Sequence, residues 1–303
     1  MTKINIVRGM ALLMLFIVEI SAIPISLRAL FYSVAIPVFL FSCGYEAEES
    51  AGNILKKDSV SVLFPYVLTC IFSGVCGASG LSATEPAAVI KQITPVWIVL
   101  ALYVLAGGYA LLRRLEKKIS VIGVGIVVMI ISAAGMFMGM KGFHLPLGAD
   151  ALAAMSIFVL VGDLFRRCEF WVEKSKYILF PVVLAVWSVL VYFGRWMELP
   201  IRAYRGHVMC VVCACAGCVA LVGVAALLGR CKAMAAFLDW CGRNRIIGLC
   251  LIGFVQLNLN WMKLYPFIPA TWMEDALFRI VVLLFVMLCI RLLADKIADM
   301  NRE

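Results

Sequence analysis

The stretch HVMCVVCACAGCVALVGVAALL, residues 207–228, holds no Asp, Glu, Lys or Arg. A helix crossing a bilayer needs about 20 apolar residues in succession, because the hydrocarbon core is about 30 Å thick and each residue rises about 1.5 Å. A helix on a soluble core would keep one polar face, and this stretch has none. It therefore reads as a membrane span. Nine further windows of similar character flank it: Ile4–Ile23, Leu27–Tyr45, Val60–Leu81, Pro95–Leu112, Ile119–Met140, Ala149–Phe165, Tyr177–Phe193, Ile246–Trp261 and Ala276–Leu293. The window at Ile246–Trp261 is the shortest of the late ones, and Ala233–Trp240 before it reads as an interfacial segment.

Composition agrees with this reading. The chain is 64% hydrophobic and 15% charged over 303 residues, with a mean hydropathy of +1.04. A soluble domain averages about 45–50% apolar and about 25% charged, so the excess must face lipid. The expected fold is an all-α polytopic integral membrane protein of about ten transmembrane helices, forming one membrane-embedded domain over residues 1–303. There is no internal repeat and no low-complexity linker.

The net charge of +9 would suit a nucleic-acid binder, but the basic residues lie in short clusters between apolar windows. That is the pattern of membrane topology, and it argues against nucleic acid as a partner. Of the 27 Lys and Arg residues, 18 fall at the N-terminus, the C-terminal end and the loops after even-numbered windows, counting Arg291 at the edge of the last window; 7 fall in the opposite loops, counting Arg28 at the edge of the second. The positive-inside rule then puts both termini in the cytoplasm of a multi-pass protein of the cell (plasma) membrane. Lys3 ahead of an apolar stretch resembles a signal peptide, but Arg8 interrupts the stretch, and an uncleaved first span fits better.

Cys210, Cys213, Cys215 and Cys218 formally make two CxxC pairs. They lie in an otherwise apolar span, where Cys packs as a small hydrophobe; no metal site is expected there.

An ionisable residue within a span is costly unless it meets a partner or a cavity, so each is a candidate for function. Besides Arg28, Asp150 and Arg291 at window edges, the windows contain Arg8, Glu19, Asp163 and Arg279, with Gln256, Asn258 and Asn260 as further polar positions. Arg8 and Glu19 are eleven residues apart, so at about 100° per residue they share one stripe, separated by about 16 Å of rise. In the predicted orientation the cation sits at the cytoplasmic mouth and the carboxylate near the outer one. The alternative is that Arg8 snorkels to headgroups while Glu19 reaches interfacial water. Asp163, next to Arg166 and Arg167, reads as an ion-pair partner at the interface. Trp261, Tyr265 and Trp272 read as interface anchors.

The stretch Asn5–Leu13, with Arg8-Gly9 at its centre, and then Ile36–Tyr45, with Pro37, Ser42 and Gly44-Tyr45, resemble the opening of the membrane acyltransferase-3 family. Further segments are similar in order: Lys56-Lys57 before Phe64-Pro65-Tyr66, Val96-Trp97-Ile98-Val99, Leu145-Pro146 with Asp150 and Phe158–Gly162, and Cys241-Gly242-Arg243-Asn244-Arg245. The resemblance covers most of the chain and rests on order and spacing, since no single motif is specific.

The resemblance implies a membrane-bound O-acyltransferase that moves an acyl group, usually acetyl, from cytoplasmic acetyl-CoA to a hydroxyl of a cell-surface glycan or lipid-linked sugar. No permanently bound cofactor is implied; acetyl-CoA is the donor. It implies catalytic roles for Arg8 and for the position of Glu19, where the family carries a His acting as base. It also directs attention to Tyr45, Trp97, His144 and Asp150 as substrate-binding positions. Arg195, Arg202 and Arg205 join them from the residues themselves, as cations of the one basic-aromatic outer loop, suited to an anionic glycan or pyrophosphate-lipid head, or to lipid headgroups.

The chain departs from the family where chemistry is concentrated. Its only histidines are His144 and His207. Acyl transfer to a hydroxyl needs a base with a pKa near 7, and a solvated carboxylate near 4 is a weaker one unless burial raises it. Glu19 could stand in for the His, and His144 is an alternative base if its loop folds inward. A member that has lost catalysis, passing a small solute or lipid or supporting a partner enzyme, is the competing expectation. An ordinary secondary transporter would show inverted repeats and broken helices, and the sequence displays neither convincingly.

Overall fold

A computed structural model describes residues 3–18, 23–47, 59–78, 94–143, 145, 148–198, 202–258 and 271–300. Some side chains within those helices are excepted, among them Trp97, Gln256 and Asn258. Eleven helices occur among the described residues: α1 (Lys3–Val18), α2 (Ile25–Tyr32), α3 (Ala35–Tyr45), α4 (Ser59–Ala78), α5 (Thr94–Met140), α6 (Ala149–Arg167), α7 (Glu169–Tyr192), α8 (Val208–Leu228), α9 (Lys232–Arg243), α10 (Arg245–Asn258) and α11 (Trp272–Met300). Between α7 and α8 lies a two-stranded antiparallel hairpin, β1 (Met197–Glu198) and β2 (Ala203–Tyr204), pairing Met197 with Tyr204.

Each apolar window contains a helix, which makes the protein all-α. Among the described residues, six stretches are long and apolar enough to cross a membrane: Ile25–Tyr45, Ile98–Glu116, Lys118–Met140, Glu169–Tyr192, Val208–Leu228 and Trp272–Lys296. The architecture is that of a polytopic membrane protein, with large apolar side chains such as Ile122, Ile178 and Leu277 facing outward. The window at Leu27–Tyr45 is two helices, α2 and α3, with a turn at Ser33-Val34. Pro37 falls in the first turn of α3, where its missing N–H leaves no hydrogen bond unmade.

The helix α5 is broken at Ser120 (φ 63°, ψ 165°). Tyr109 and Arg113 meet Asp163 near the C-terminal end of α6, whereas the Ser132 hydroxyl donates to the carbonyl of Ala154 nearer its start. On a straight helix Arg113 and Ser132 would be about 28 Å apart, but Asp163 and Ala154 are separated by about 14 Å of rise. The chain therefore turns back at Ser120, and both halves of α5 pack along α6.

Two helix crossings are made by reciprocal glycines. At the crossing of α1 and α9, a Cβ on Gly9 would overlap the carbonyl of Leu238, and one on Gly242 would overlap the carbonyl of Asn5. At the crossing of α3 and α6, Gly44 faces the carbonyl of Val159 and Gly162 that of Phe41 in the same way. Lipid offers apolar surface as good as another helix, so association in a bilayer depends on close backbone approach at small residues. The helix α9, expected only as an interfacial segment, has its inward stripe at Ala235, Leu238, Asp239 and Gly242, with the spacing of one helix face.

Candidate functional site

The α1–α3 contact buries the guanidinium of Arg8, which is 1% exposed. Its Nε donates to the Ser42 hydroxyl (2.8 Å) and its Nη2 to the Ser42 carbonyl (3.3 Å). Nη1 donates to Asn5 Oδ1 (3.2 Å) and to Glu46 Oε1 (2.7 Å), and Nη2 also donates to Glu46 Oε2 (2.5 Å). Arginine has five N–H donors, and these five contacts use every one. Asn5 is itself oriented by donating to Asp239 Oδ1 on α9 (3.2 Å).

Local sequence makes this cluster possible. Asn5 and Arg8 are three apart on α1, and Ser42 and Glu46 are four apart at the end of α3, so each pair occupies one helix face. The Ser42 hydroxyl donates back to the carbonyl of Phe39 (2.6 Å), leaving its lone pairs toward Arg8. The buried charge is thus both paired and hydrogen-bonded, as its burial requires.

On the open side of this cluster lies a cavity of about 510 Å³. Arg8, Arg243, Arg245 and Arg291 line it, with Asn5, Asn244 and Tyr103, and Glu46 is the carboxylate among its described lining residues. Arg243 is paired with Asp239 (2.6 Å) and Arg291 with Asp295 (2.8 Å). Burial pushes the Glu46 carboxyl upward, but the hydrogen bonds and charge of Arg8, helped by the charge of Arg245, outweigh it and hold the group below its usual range. The site is a basic pocket in which Glu46 is the carboxylate among the described lining residues; guanidiniums gathered in a concavity suit phosphate groups.

Tyr45 is on the opposite side of the α1–α3 wall. Its hydroxyl donates to Glu169 Oε1 (3.0 Å) and accepts from Arg166 Nη1 (3.0 Å), and the Arg166 guanidinium stacks over its ring. Asp150 is fully buried at the start of α6, accepting from Arg202 Nε and Nη2 and from the backbone N–H of Leu145. Arg202 holds a positive φ of 56° in the hairpin. Arg205 stacks over Trp196 at 4.4 Å, and the exposed Arg195 covers Gly206. Glu198 pairs with Arg28 (3.4 Å). Asp150 and Asp163 are thirteen residues apart on α6, so this hairpin cluster sits about 20 Å from the end of α6 that meets Tyr45 and α3. The candidates form two groups at opposite ends of the bundle rather than one.

Glu19 and His144 lie outside the described residues, as does the side chain of Trp97. On the stripe between Arg8 and Glu19, Leu12 and Leu15 are buried. Asp163 has the ion-pair role expected of it, accepting from Tyr109, Arg113 and Arg167, with Glu116 bridging the two arginines. Cys210, Cys213 and Cys218 are buried in the apolar core as free thiols.

Sequence reasoning picked out Arg8 but not Ser42 and Glu46 as its partners, nor Asn244, Arg245 and Arg291 as its neighbours. The available signal was that a buried arginine requires a carboxylate. Glu46 is the first one after the second apolar window.

Fold and site together define a multi-pass membrane protein with a buried, fully engaged arginine beside a basic pocket at one end of its bundle. Comparison with family profiles, with curated proteins and with solved structures finds no match.

Proposed function

We propose that the protein is a divergent membrane-bound acyltransferase of the acyltransferase-3 kind, whose basic pocket receives the phosphates of an acyl-CoA. The observation that carries this reading is the pocket lined by Arg8, Arg243, Arg245 and Arg291, of which Arg8 pairs with Glu46, Arg243 with Asp239 and Arg291 with Asp295. The positive-inside bias, with the expected ten-span layout, supports that end of the bundle facing the cytoplasm of the plasma membrane, where acyl-CoA is available. Phosphate oxygens would compete with Glu46 for the outward edge of Arg8 and engage Arg245 and Arg291.

In the transfer itself the acceptor hydroxyl oxygen attacks the thioester carbonyl, its proton passes to a base, and CoA leaves as the thiolate, which is then protonated. Glu19, on the Arg8 stripe, is assigned the base. A sugar hydroxyl of a glycan or lipid-linked sugar is the acceptor, approached from the hairpin side, where Asp150, Arg195, Arg202 and Arg205 gather.

A second reading is favoured by one observation: all five Arg8 donors are already taken within the protein, as in a structural staple. On that reading the chain binds no donor and supports a partner enzyme or passes a small solute or lipid. Incubating the purified protein with acetyl-CoA and following release of the free CoA thiol separates the two. The acyltransferase reading predicts release that Glu19→Gln abolishes while the protein stays folded. Absence of release together with absence of acyl-CoA binding would refute it.

A further inference from the structure

A second cavity, of about 670 Å³, lies across the α1–α3 wall from the arginine pocket. Val7 of α1, Phe180 and Leu184 of α7 and Ala220 of α8 form its apolar walls, and Tyr177 and Leu227 at its edge are largely exposed. Its charged lining residues are confined to one end: Lys3, Glu169, Glu173, Lys176 and Arg230. From Glu173 to Leu184 on α7 is about 16 Å of rise, and from Arg230 to Ala220 on α8 about 15 Å. Both equal half of the roughly 30 Å hydrocarbon core, so the groove has the depth of one leaflet. Its occupant must be amphipathic, one leaflet long and charged at the end that carries the chain's N-terminus.

The charge at that end is settled by pairing. Glu169 is taken up by Arg166 and Tyr45. Glu173 is shared between Lys3 (3.5 Å) and Lys176 (2.6 Å). Arg230 is exposed, and its side chain has no hydrogen bond or ion pair among the described residues. It lies close enough to Lys176 for the two like charges to repel. The mouth keeps an excess of positive charge over two neutralised carboxylates, which suits a phosphate.

We propose that this groove binds a phospholipid with an anionic headgroup, its phosphate between Lys176 and Arg230 and one acyl chain along Phe180 and Leu184. The site is independent of acyl transfer: it lies on the other side of the α1–α3 wall from Arg8 and would be occupied whether or not the protein is an enzyme.

The test uses the full chain in nanodiscs of phosphatidylcholine doped with phosphatidylglycerol, followed by gentle extraction and native mass spectrometry of retained lipid. Phosphatidylcholine carries the same phosphate, but its quaternary ammonium cancels the charge and is repelled by two basic residues, so phosphatidylglycerol is expected to be retained over it by roughly tenfold or more. Lys176→Gln with Arg230→Gln, both at the surface, is expected to erase that preference. Ala226→Trp at the exposed edge of the groove is expected to lower retention of both lipids. Soluble glycerol phosphate is expected to leave the bound lipid in place. Equal retention of the two lipids by the wild type would overturn the proposal, as would an unchanged preference in the double variant. Displacement by glycerol phosphate would mark a soluble-phosphate site and overturn the lipid assignment.

Discussion

Replacing Glu46 by Gln separates two roles that the Arg8 cluster combines. The substitution keeps shape and one acceptor oxygen but removes the charge opposite a guanidinium that is 1% exposed. A hydrogen bond to a charged group contributes about 1.5–3 kcal/mol, and removing one partner of a fully buried pair costs about 3–5 kcal/mol. The Glu46 side chain is 35% exposed, so solvent screening lowers the second figure. Ser42 and Asn5 continue to accept from Arg8. The expected loss is about 2 kcal/mol, a fall of a few degrees in the unfolding midpoint in detergent. The same change removes the carboxylate that competes for Arg8, so binding of an anionic donor should strengthen by roughly tenfold.

The pH dependence follows from the depressed carboxyl. Its stabilisation is fully present above the unfolded value of 4.5 and is lost as pH falls through the lower folded value. Unfolding midpoints should therefore be flat for this group from neutral pH down to about 5, and the variant should lack the acid-side loss. A variant with wild-type stability would refute the clamp. One that loses stability and donor binding together would refute the competitor role.

Gly44→Ala or Gly162→Ala inserts a methyl against a facing carbonyl and should cost about 1–3 kcal/mol by forcing α3 from α6, read as a lower midpoint; an unchanged midpoint would argue against the crossing. Asp163→Asn removes a buried charge from Arg113 and Arg167 and should lower the midpoint by more than Glu116→Gln, since Asp163 is the more buried of the two. Asp150→Asn should free the hairpin from α6 and raise proteolysis around Arg202, whereas Arg195→Gln, at an exposed position, should not.

The apolar helices were legible because a lipid-facing helix must be apolar along its length, and this survives without tertiary information. The reversal between Pro95–Leu112 and Ile119–Met140 was legible as a basic loop at Arg113–Lys118; that those residues stay helical and the break falls at Ser120 was not, because it depends on a single residue's dihedral angles. The crossing glycines Gly9, Gly44, Gly162 and Gly242 all lie in the segments that carry the family resemblance. Which backbone each one meets could be learned only from the assembled bundle. Arg8 stood out as an intramembrane cation, but its partners are 34 and 38 residues away, across a turn whose course the sequence does not dictate. The hairpin cluster was read as a loop of cations; its pairing of Arg202 with the buried Asp150 joins residues 52 apart.

The most direct test of the arginine pocket as a donor site is equilibrium binding of acetyl-CoA to the purified protein, compared with Arg245→Gln. Saturable binding that weakens with added salt, and by about tenfold or more in the variant, is the predicted result. Absence of saturable binding, or equal affinity in the two proteins, would contradict it.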